Sequence, residues 1–275
     1  DVYKRQGVSL DLYAGEVLAL MGENGAGKST LMNILSGSLQ PTEGEIYLNG
    51  EKVVVPDPIT AKKLGIAKIH QELQIVPELS VAENIFLGRW KTSAGPAVDF
   101  KAMKDEAKVY LDMLDVHVDP SKKLKDLRIG EQQLVEIAKA ISLNSKIIVM
   151  DEPTSAISEK EAEKLFTIIR RLRGEGKGII YITHRMEEIF KIADRLTVMR
   201  DGQYIGTVKA AETSKDEIIR MMVGRDMSEQ YPKDPTEKGE VALEVKNLTY
   251  TPPMGSFRRC LLYTSPSPRD YAASR

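Results

Sequence analysis

The stretch from residue 22 to residue 30 has the composition and spacing of a phosphate-binding loop, G-x-x-x-x-G-K-[ST]. Its members are Gly22, Glu23, Asn24, Gly25, Ala26, Gly27, Lys28, Ser29 and Thr30. In such a loop, backbone N–H groups curl around the phosphates of a nucleoside triphosphate. Lys28 would reach the β- and γ-phosphates, and the Ser29 hydroxyl would coordinate Mg²⁺.

The flanking sequence supplies the elements that such a loop needs. The apolar run from Val17 to Met21 predicts a buried parallel strand. Leu31, Ile34 and Leu35 follow at helical spacing, and Ser36-Gly37 predicts where that helix stops. A glycine-rich turn that binds nothing is the alternative. It is disfavoured because every fixed position of the motif is present between a strand and a helix.

Two adjacent carboxylates follow another apolar run, Lys146 to Met150. At the end of a strand, neighbouring side chains point in different directions. Asp151 can therefore face a bound metal ion while Glu152 faces the attacking water as a general base. The alternative is a pair of surface acids that open a turn before Pro153.

Gln71 and His184 each follow a predicted core strand, at residues 65–70 and 179–183. Side chains at these positions project toward the ligand in open α/β sheets. Gln71 would hydrogen-bond the metal-bound or attacking water, and His184 would contact the γ-phosphate. A structural role for either residue stays open at this point, because a lone Gln or His is more often structural.

The rest of the pattern predicts an α/β chain with additions. Alternation of Val8, Leu10 and Leu12 predicts a half-buried strand, and Asn49-Gly50 and Asp201-Gly202 predict hairpin turns. The hairpin strands are expected at 45–48 with 52–55, and at 196–199 with 204–208. Helical spacing predicts helices at 81–87, 100–114 and 131–141, one with apolar positions 165–172 stopped by Gly174, and one from Ser214 through Met222. A helical insertion is expected at about 72–140.

The bulk composition excludes several classes of protein. Across 275 residues the net charge is −1, which gives no reason to expect nucleic acid as a partner. The single cysteine, Cys260, excludes an internal disulfide framework. No apolar run is long enough for a direct membrane span, so work at a membrane would need a partner protein.

The segment Leu127 to Gln133, with sequence LRIGEQQ, resembles the signature of the ATP-binding-cassette ATPases. The resemblance covers residue 7 to about residue 225. It includes the phosphate loop, Gln71, Asp151-Glu152 and His184 in the family's order. Residues 129–140 and 150–156 are similar to the monosaccharide importers of the ribose, galactose and xylose type.

The resemblance implies a P-loop NTPase (RecA-like) core with an antiparallel β subdomain and a helical insertion. It implies ATP and Mg²⁺ as ligands, the latter held by Ser29, Gln71 and Asp151. Two cassettes would close face to face, so that one signature meets the other cassette's ATP. The signature residues are Arg128, Ile129, Gly130, Glu131 and Gln132.

The implied partners are a second cassette, in cis or in trans, membrane permease subunits and a sugar-binding protein. The segment 73–87 would face the permease, at the cytoplasmic face of the membrane. The expected organisation is a cassette at 7–224, a linker at 225–239 and the start of a second cassette at 240–259. Residues 1–6 and 260–275 resemble non-native tails. The chain would then be the N-terminal half of a longer tandem protein.

Three departures from the family pattern stand out. Arg128 occupies a position where the family has a small hydroxyl residue, and Ser158 one where Asp is common. The strand that carries the family's adenine-stacking aromatic residue is expected before Gly7, and Tyr3 does not stand at a matching position. Two alternatives stay open: a soluble tandem cassette that is not involved in transport, and an inactive fragment.

Overall fold

The computed structural model describes residues 7–71, 73–93 and 97–224. These residues all fall within one of two units, residues 1–228. The second unit, residues 229–275, lies outside the described part, as do the predicted linker, the predicted second-cassette strand and both predicted tails. Among the described residues no helix is long and apolar enough to span a bilayer.

A six-stranded sheet in the order β4-β5-β6-β1-β7-β8 forms the centre of the described unit. Its strands are β1 (Val17–Met21), β4 (Ile66–Ile69), β5 (Ile147–Asp151), β6 (Gly178–Ile182), β7 (Arg195–Arg200) and β8 (Gln203–Lys209). Neighbouring strands are parallel except for β7 and β8. Every residue of β1 and β6 is buried, as expected for parallel strands covered on both faces.

Helices cover both faces of this sheet. They are α1 (Lys28–Leu35), α2 (Pro58–Lys63), α3 (Val81–Ile85), α4 (Phe100–Met113), α5 (Ile129–Ser142), α6 (Glu159–Gly174), α7 (Met186–Ile192) and α8 (Lys215–Val223). On one face Met32 of α1 packs with Leu20 and Val149 of the sheet. On the other, Leu165 and Ile169 of α6 belong to a cluster with sheet side chains that include Tyr181 of β6.

Two smaller substructures flank the central layer. Strands β2 (Ile46–Leu48) and β3 (Glu51–Val53) form an antiparallel hairpin around Asn49-Gly50, both of which have positive φ. The second substructure comprises α3, α4 and α5, which pack against one another, and α5 also packs against β4. The predicted antiparallel addition and helical segment are therefore both present, and the fold is that of a P-loop NTPase.

The structure corrects several sequence predictions. Residues 8–12 form no strand, although Val8, Leu10 and Leu12 do pack against a buried cluster. The alternation correctly identified the inward-facing side chains, but it carried no information about a hydrogen-bonded partner strand. Helix α6, by contrast, ends at Gly174 as predicted, and Gly176 in the turn that follows has a positive φ of 84°.

Two short helices, α2 and α7, were missed, because six or seven residues give too few turns for a clear periodicity. Other differences concern boundaries. Helix α5 begins at Ile129, two residues earlier than predicted, and β3 ends at Val53 rather than Val55.

Candidate nucleotide site

The glycine loop between β1 and α1 is shaped by close backbone packing. A Cβ atom on Gly22 would lie 2.2 Å from the carbonyl oxygen of Met199 on β7, so no larger residue fits there. Gly27 has φ 104° and caps the N-terminus of α1 in a left-handed conformation. These glycines turn the chain tightly from strand to helix, which aims the first N–H groups of α1 at the space above the loop.

Lys28 lies over this loop. Its Nζ donates hydrogen bonds to the carbonyl oxygens of Gly22 (2.7 Å) and Glu23 (2.9 Å). Burial lowers the pKa of the Lys28 ammonium, and the nearby carboxylates of Glu152 and Asp151 oppose that shift. The ammonium is thus a partly desolvated positive charge, held where it can interact with phosphate oxygens.

A cleft of about 180 Å³ joins the loop to the ends of the neighbouring strands. Its lining residues are Asn24, Gly25, Gly27, Lys28, Ser29, Thr30, Gln71, Asp151, Glu152 and Ile182. Strands β4, β5, β6 and β1 are adjacent and parallel, so the segments that follow them meet at one edge of the sheet. The sequence predictions for the loop, Gln71 and the paired carboxylates therefore converge on one place.

Glu152 occupies the centre of a short chain of polar contacts. Its Oε2 accepts a hydrogen bond from Gln71 Nε2 at 3.2 Å, and its Oε1 lies 3.2 Å from His184 Nδ1. The residue has φ 48°, an uncommon conformation for a non-glycine residue, and its N–H bonds to the carbonyl of Ile182 on β6. The backbone at the end of β5 thus turns so that Asp151 and Glu152 point differently.

His184 reaches the cleft through Glu152. Its side chain is 70% exposed and does not line the 180 Å³ cleft. In the tautomer that carries hydrogen on Nδ1, His184 can donate to the Glu152 carboxylate across this contact. His184 is therefore suited to orient Glu152, while the predicted direct contact with a γ-phosphate stays a prediction.

Asp151 lines the cleft, and the charge of Lys68 acts on it. Burial raises the pKa of the Asp151 carboxyl, and Lys68 acts against that rise. Lys68 is on β4, and its Nζ donates to Asn33 Oδ1 of α1 at 2.6 Å. Sequence reasoning missed Lys68, since one lysine within a core strand gives no sign of which side chains surround it.

The donor set fits Mg²⁺. Ser29, Gln71 and Asp151 line the same cleft and offer a hydroxyl, an amide oxygen and a carboxylate. Because the amide nitrogen of Gln71 faces Glu152, its oxygen is the atom left to face a cation. The described residues contain no cluster of three or more acidic, His or Cys side chains arranged as metal ligands. Mg²⁺ does not need one, because it binds through one or two protein groups together with phosphates and water.

The predicted signature lies elsewhere. Its residues begin α5, and none of them lines the cleft. A Cβ on Gly130 would lie 3.2 Å from the carbonyl oxygen of Ala156, in the loop after Glu152. Ile129 is 64% exposed, whereas Gln132 is tied down by bonds to the carbonyls of Leu124 and Leu127. Within one chain the signature therefore does not line the cleft, and its Ile129 side chain is exposed to solvent.

A larger cleft of about 520 Å³ lies between α6 and α7. It is lined by charged side chains of both signs, including the ion pair of Glu163 and Lys191. Only His184 among the predicted site residues lines it. The first residues of α6, α7 and α8 border this cleft, but the glycine loop lines only the smaller cleft.

A buried polar cluster behind the site was not predicted. Glu188 of α7 accepts hydrogen bonds from the hydroxyls of Thr154 (2.8 Å), Tyr181 (2.8 Å) and Thr183 (3.0 Å). Apolar Met186, Ile189 and Ile192 at helical spacing were the available signal for α7. Without that helix, nothing in the sequence indicated that Glu188 points inward.

Comparison with known proteins agrees with this geometry. The family model described as ABC transporter matches residues 5–155. The ribose import ATP-binding protein RbsA of Caldanaerobacter subterraneus subsp. tengcongensis is 51% identical over 242 residues, covering 88% of this chain and 49% of that protein. A putative ribose/galactose/methyl galactoside import ATP-binding protein of Burkholderia lata is 48% identical over 88% of this chain and 46% of its own length.

Solved structures give the same assignment. The ADP conformation of an ATP-binding cassette of an ABC transporter superposes with a TM-score of 0.68 at 27% identity, covering 80% of this chain and 92% of that one. A dimeric post-hydrolysis cassette bound to ADP and Pi gives 0.65 at 29% identity, over 74% and 89%. The chain belongs to the ABC transporter family and contains an ATP-binding cassette. It spans about half the length of the curated relatives that it matches.

Proposed function

We propose that this chain is an ATP-hydrolysing cassette that powers import of a monosaccharide through a separate membrane permease. One observation carries the proposal: the phosphate loop, Gln71, Asp151 and Glu152 all line one cleft at the carboxyl edge of the sheet. The resemblance to ribose and galactose import ATP-binding proteins supports the choice of sugar import over a tandem cassette without a transport role.

Hydrolysis would proceed by in-line attack of water on the γ-phosphorus. Glu152 accepts a proton from the water as the new P–O bond forms and the bond to the β-phosphate oxygen breaks. Gln71 and His184 hold the two carboxylate oxygens, and Lys28 balances the charge that develops on the phosphate oxygens. Mg²⁺, held by Ser29, Gln71 and Asp151, would neutralise charge on the β- and γ-phosphates.

The signature lies away from the cleft of its own chain and exposes Ile129, which supports a site completed by a second cassette. A dimeric cassette structure is among the similar solved structures. We infer that residues 128–132 contact ATP bound to the opposing cassette, which another half of a longer chain or a second chain would supply. Permease subunits and a sugar-binding protein are the further partners, and the protein would act peripherally at the cytoplasmic face of the membrane.

A chimaeric import protein tests this proposal. Residues 7–224 replace the aligned segment of the RbsA protein from Caldanaerobacter. The chimaera is expressed in a strain that lacks its own ribose import ATPase and carries the permease and the sugar-binding protein that work with that RbsA protein. We expect growth on ribose, and no growth from the same chimaera with Glu152→Gln. The unaltered RbsA protein is the positive control. A chimaera that accumulates normally and binds ATP yet supports no growth would contradict the transport role.

A further inference from the structure

Glu188 is a buried carboxylate that does not line the 180 Å³ cleft of the nucleotide site. Its side chain is 8% exposed and lies on α7, behind the loops that bear Glu152 and His184. Each of its oxygens has a separate set of partners. Oε1 accepts from Thr154 Oγ1 (2.8 Å) and lies 3.4 Å from Arg185 Nη1, and Oε2 accepts from Tyr181 and Thr183.

These partners belong to the two segments that carry the reacting groups. Thr154 lies two residues after Glu152, in the loop that follows β5. Thr183 directly precedes His184, and its Oγ1 also accepts the backbone N–H of Arg185 at 3.0 Å. Tyr181 differs from these residues because it is inside β6, held by the sheet on both sides.

A carboxylate is well suited to join these segments. Its two oxygens can accept several donors at once, and hydrogen bonds to a charged acceptor are about twice as strong as neutral ones. Burial strengthens each bond further, and it makes the loss of a partner costly. The contact of Glu152 with His184 closes the same two segments on the solvent side.

We propose that Glu188 is a positioning residue that locks the loop after β5 to the turn after β6, and so fixes Glu152 relative to His184. The catalytic part of this inference rests on the proposed ATP hydrolysis. Its structural part, mechanical coupling of two loops through one carboxylate, is testable without any turnover.

Two isosteric hydroxyl deletions separate coupling from general stability, whereas removing Glu188 itself risks unfolding. Thr154→Val breaks the bond to the loop after β5, and Tyr181→Phe breaks a bond of the same length from a residue fixed in the sheet. Hydrogen–deuterium exchange of the 275-residue chain is followed in peptides that cover 183–188. We expect Thr154→Val to speed exchange there roughly tenfold, although the substitution lies in the other loop, and Tyr181→Phe to leave it within about twofold.

The inference is overturned if Thr154→Val affects only peptides around residue 154, or if both variants speed exchange of 183–188 equally.

Steady-state kinetics of ATP hydrolysis test the catalytic part of the inference. Thr154→Val should lower kcat for ATP hydrolysis about tenfold while the KM for ATP stays within about twofold, and Tyr181→Phe should change neither. An unchanged kcat would overturn the positioning role. A wild-type chain without hydrolysis would instead count against the proposed function, and the exchange result would still decide the coupling.

Discussion

Arg128 stands at the N-cap of α5, a position that favours a side chain able to accept a hydrogen bond. A guanidinium has no acceptor, so it cannot bond to the free N–H groups of the first turn. Only the reverse half of a capping box is available: the Glu131 carboxylate accepts from the Arg128 N–H at 2.8 Å. The same residue opens the signature, so helix capping and the proposed ATP contact depend on one side chain.

We predict that Arg128→Ser stabilises the chain by about 1 kcal/mol, because the serine hydroxyl can cap the helix. Arg128→Lys is the matched control, since it also lacks an acceptor and should bring no gain. Urea denaturation of the three proteins measures the difference. We also compare two full-length tandem proteins, one with Arg128 and one with Arg128→Ser. The serine variant should hydrolyse ATP faster, because a small hydroxyl side chain fits the closely packed interface proposed between two cassettes. Equal rates there would contradict the proposed role of this position.

Glu136 gives a prediction about pH. It is 4% exposed on α5, and burial raises the pKa of its carboxyl above the ordinary value of 4.5. The folded protein therefore holds that proton more tightly than the unfolded chain. Ionisation of Glu136 makes the fold less stable as the pH rises from about 4.5 through the folded-state pKa.

Glu136→Gln removes this ionisation, so the variant should gain stability relative to the parent as the pH rises through that window. Below the window the two proteins should differ by a constant amount. Denaturation midpoints measured from pH 4 to pH 8 check the trend. A stability difference between the two proteins that does not change with pH, or that changes in the opposite direction, would show that ionisation of Glu136 does not destabilise the fold.

At the scale of elements, one buried amide organises the segment that the family resemblance assigns to the permease-facing surface. Asn84 of α3 is 1% exposed. Its Oδ1 accepts from the Val76 N–H, and its Nδ2 donates to the carbonyls of Val76, Leu79 and Ser80. This side chain therefore gives the loop before α3 the hydrogen bonds that a regular element would otherwise supply.

We expect Asn84→Ala to destabilise the chain by about 2 kcal/mol and to speed hydrogen exchange in 76–80, because several buried backbone groups lose their partner. Binding of a fluorescent ATP analogue should be unchanged, since Asn84 does not line the cleft. Glu78→Gln is the control in the same loop, where an exposed ion pair with Lys125 contributes little. Unchanged exchange in 76–80 would show that the loop is held by other contacts.

The elements predicted correctly from sequence are those with strong local signals. The strands β1, β5 and β6 are recognisable because burial on both faces requires a continuous apolar run. The two Asx-Gly turns are recognisable because positive φ favours Asn, Asp and Gly. The segment around Leu10 was wrongly predicted as a strand and the short helix α7 was missed, since neither pairing partners nor tertiary packing are encoded locally. Asp57 and Pro58 at the start of α2 were a readable signal: Asp57 accepts the Thr60 N–H and Pro58 begins the helix.

For the molecule as a whole, the order of strands explains why distant motifs form one site. Gln71, Asp151 and the phosphate loop are far apart in sequence, but they follow strands that lie together in the sheet. Sequence reasoning reached this convergence through the rule for parallel sheets. It could not show that His184 contacts Glu152, or that Glu188 bonds to residues of both loops, because those contacts depend on tertiary packing.

We propose above that this cleft binds ATP and that Glu152 activates the water which attacks it. The most direct measurement compares ATP binding and phosphate release by the wild-type chain, Glu152→Gln and Lys28→Ala, with Mg²⁺ present and protein concentration raised stepwise so that two cassettes can pair. We predict that Glu152→Gln binds ATP within about threefold of the wild type but releases phosphate at least about 100-fold more slowly, as loss of a general base requires. Lys28→Ala should weaken binding itself. Phosphate release by Glu152→Gln at the wild-type rate would contradict the proposed role of Glu152, and a wild-type chain that binds no ATP would contradict the proposed nucleotide site.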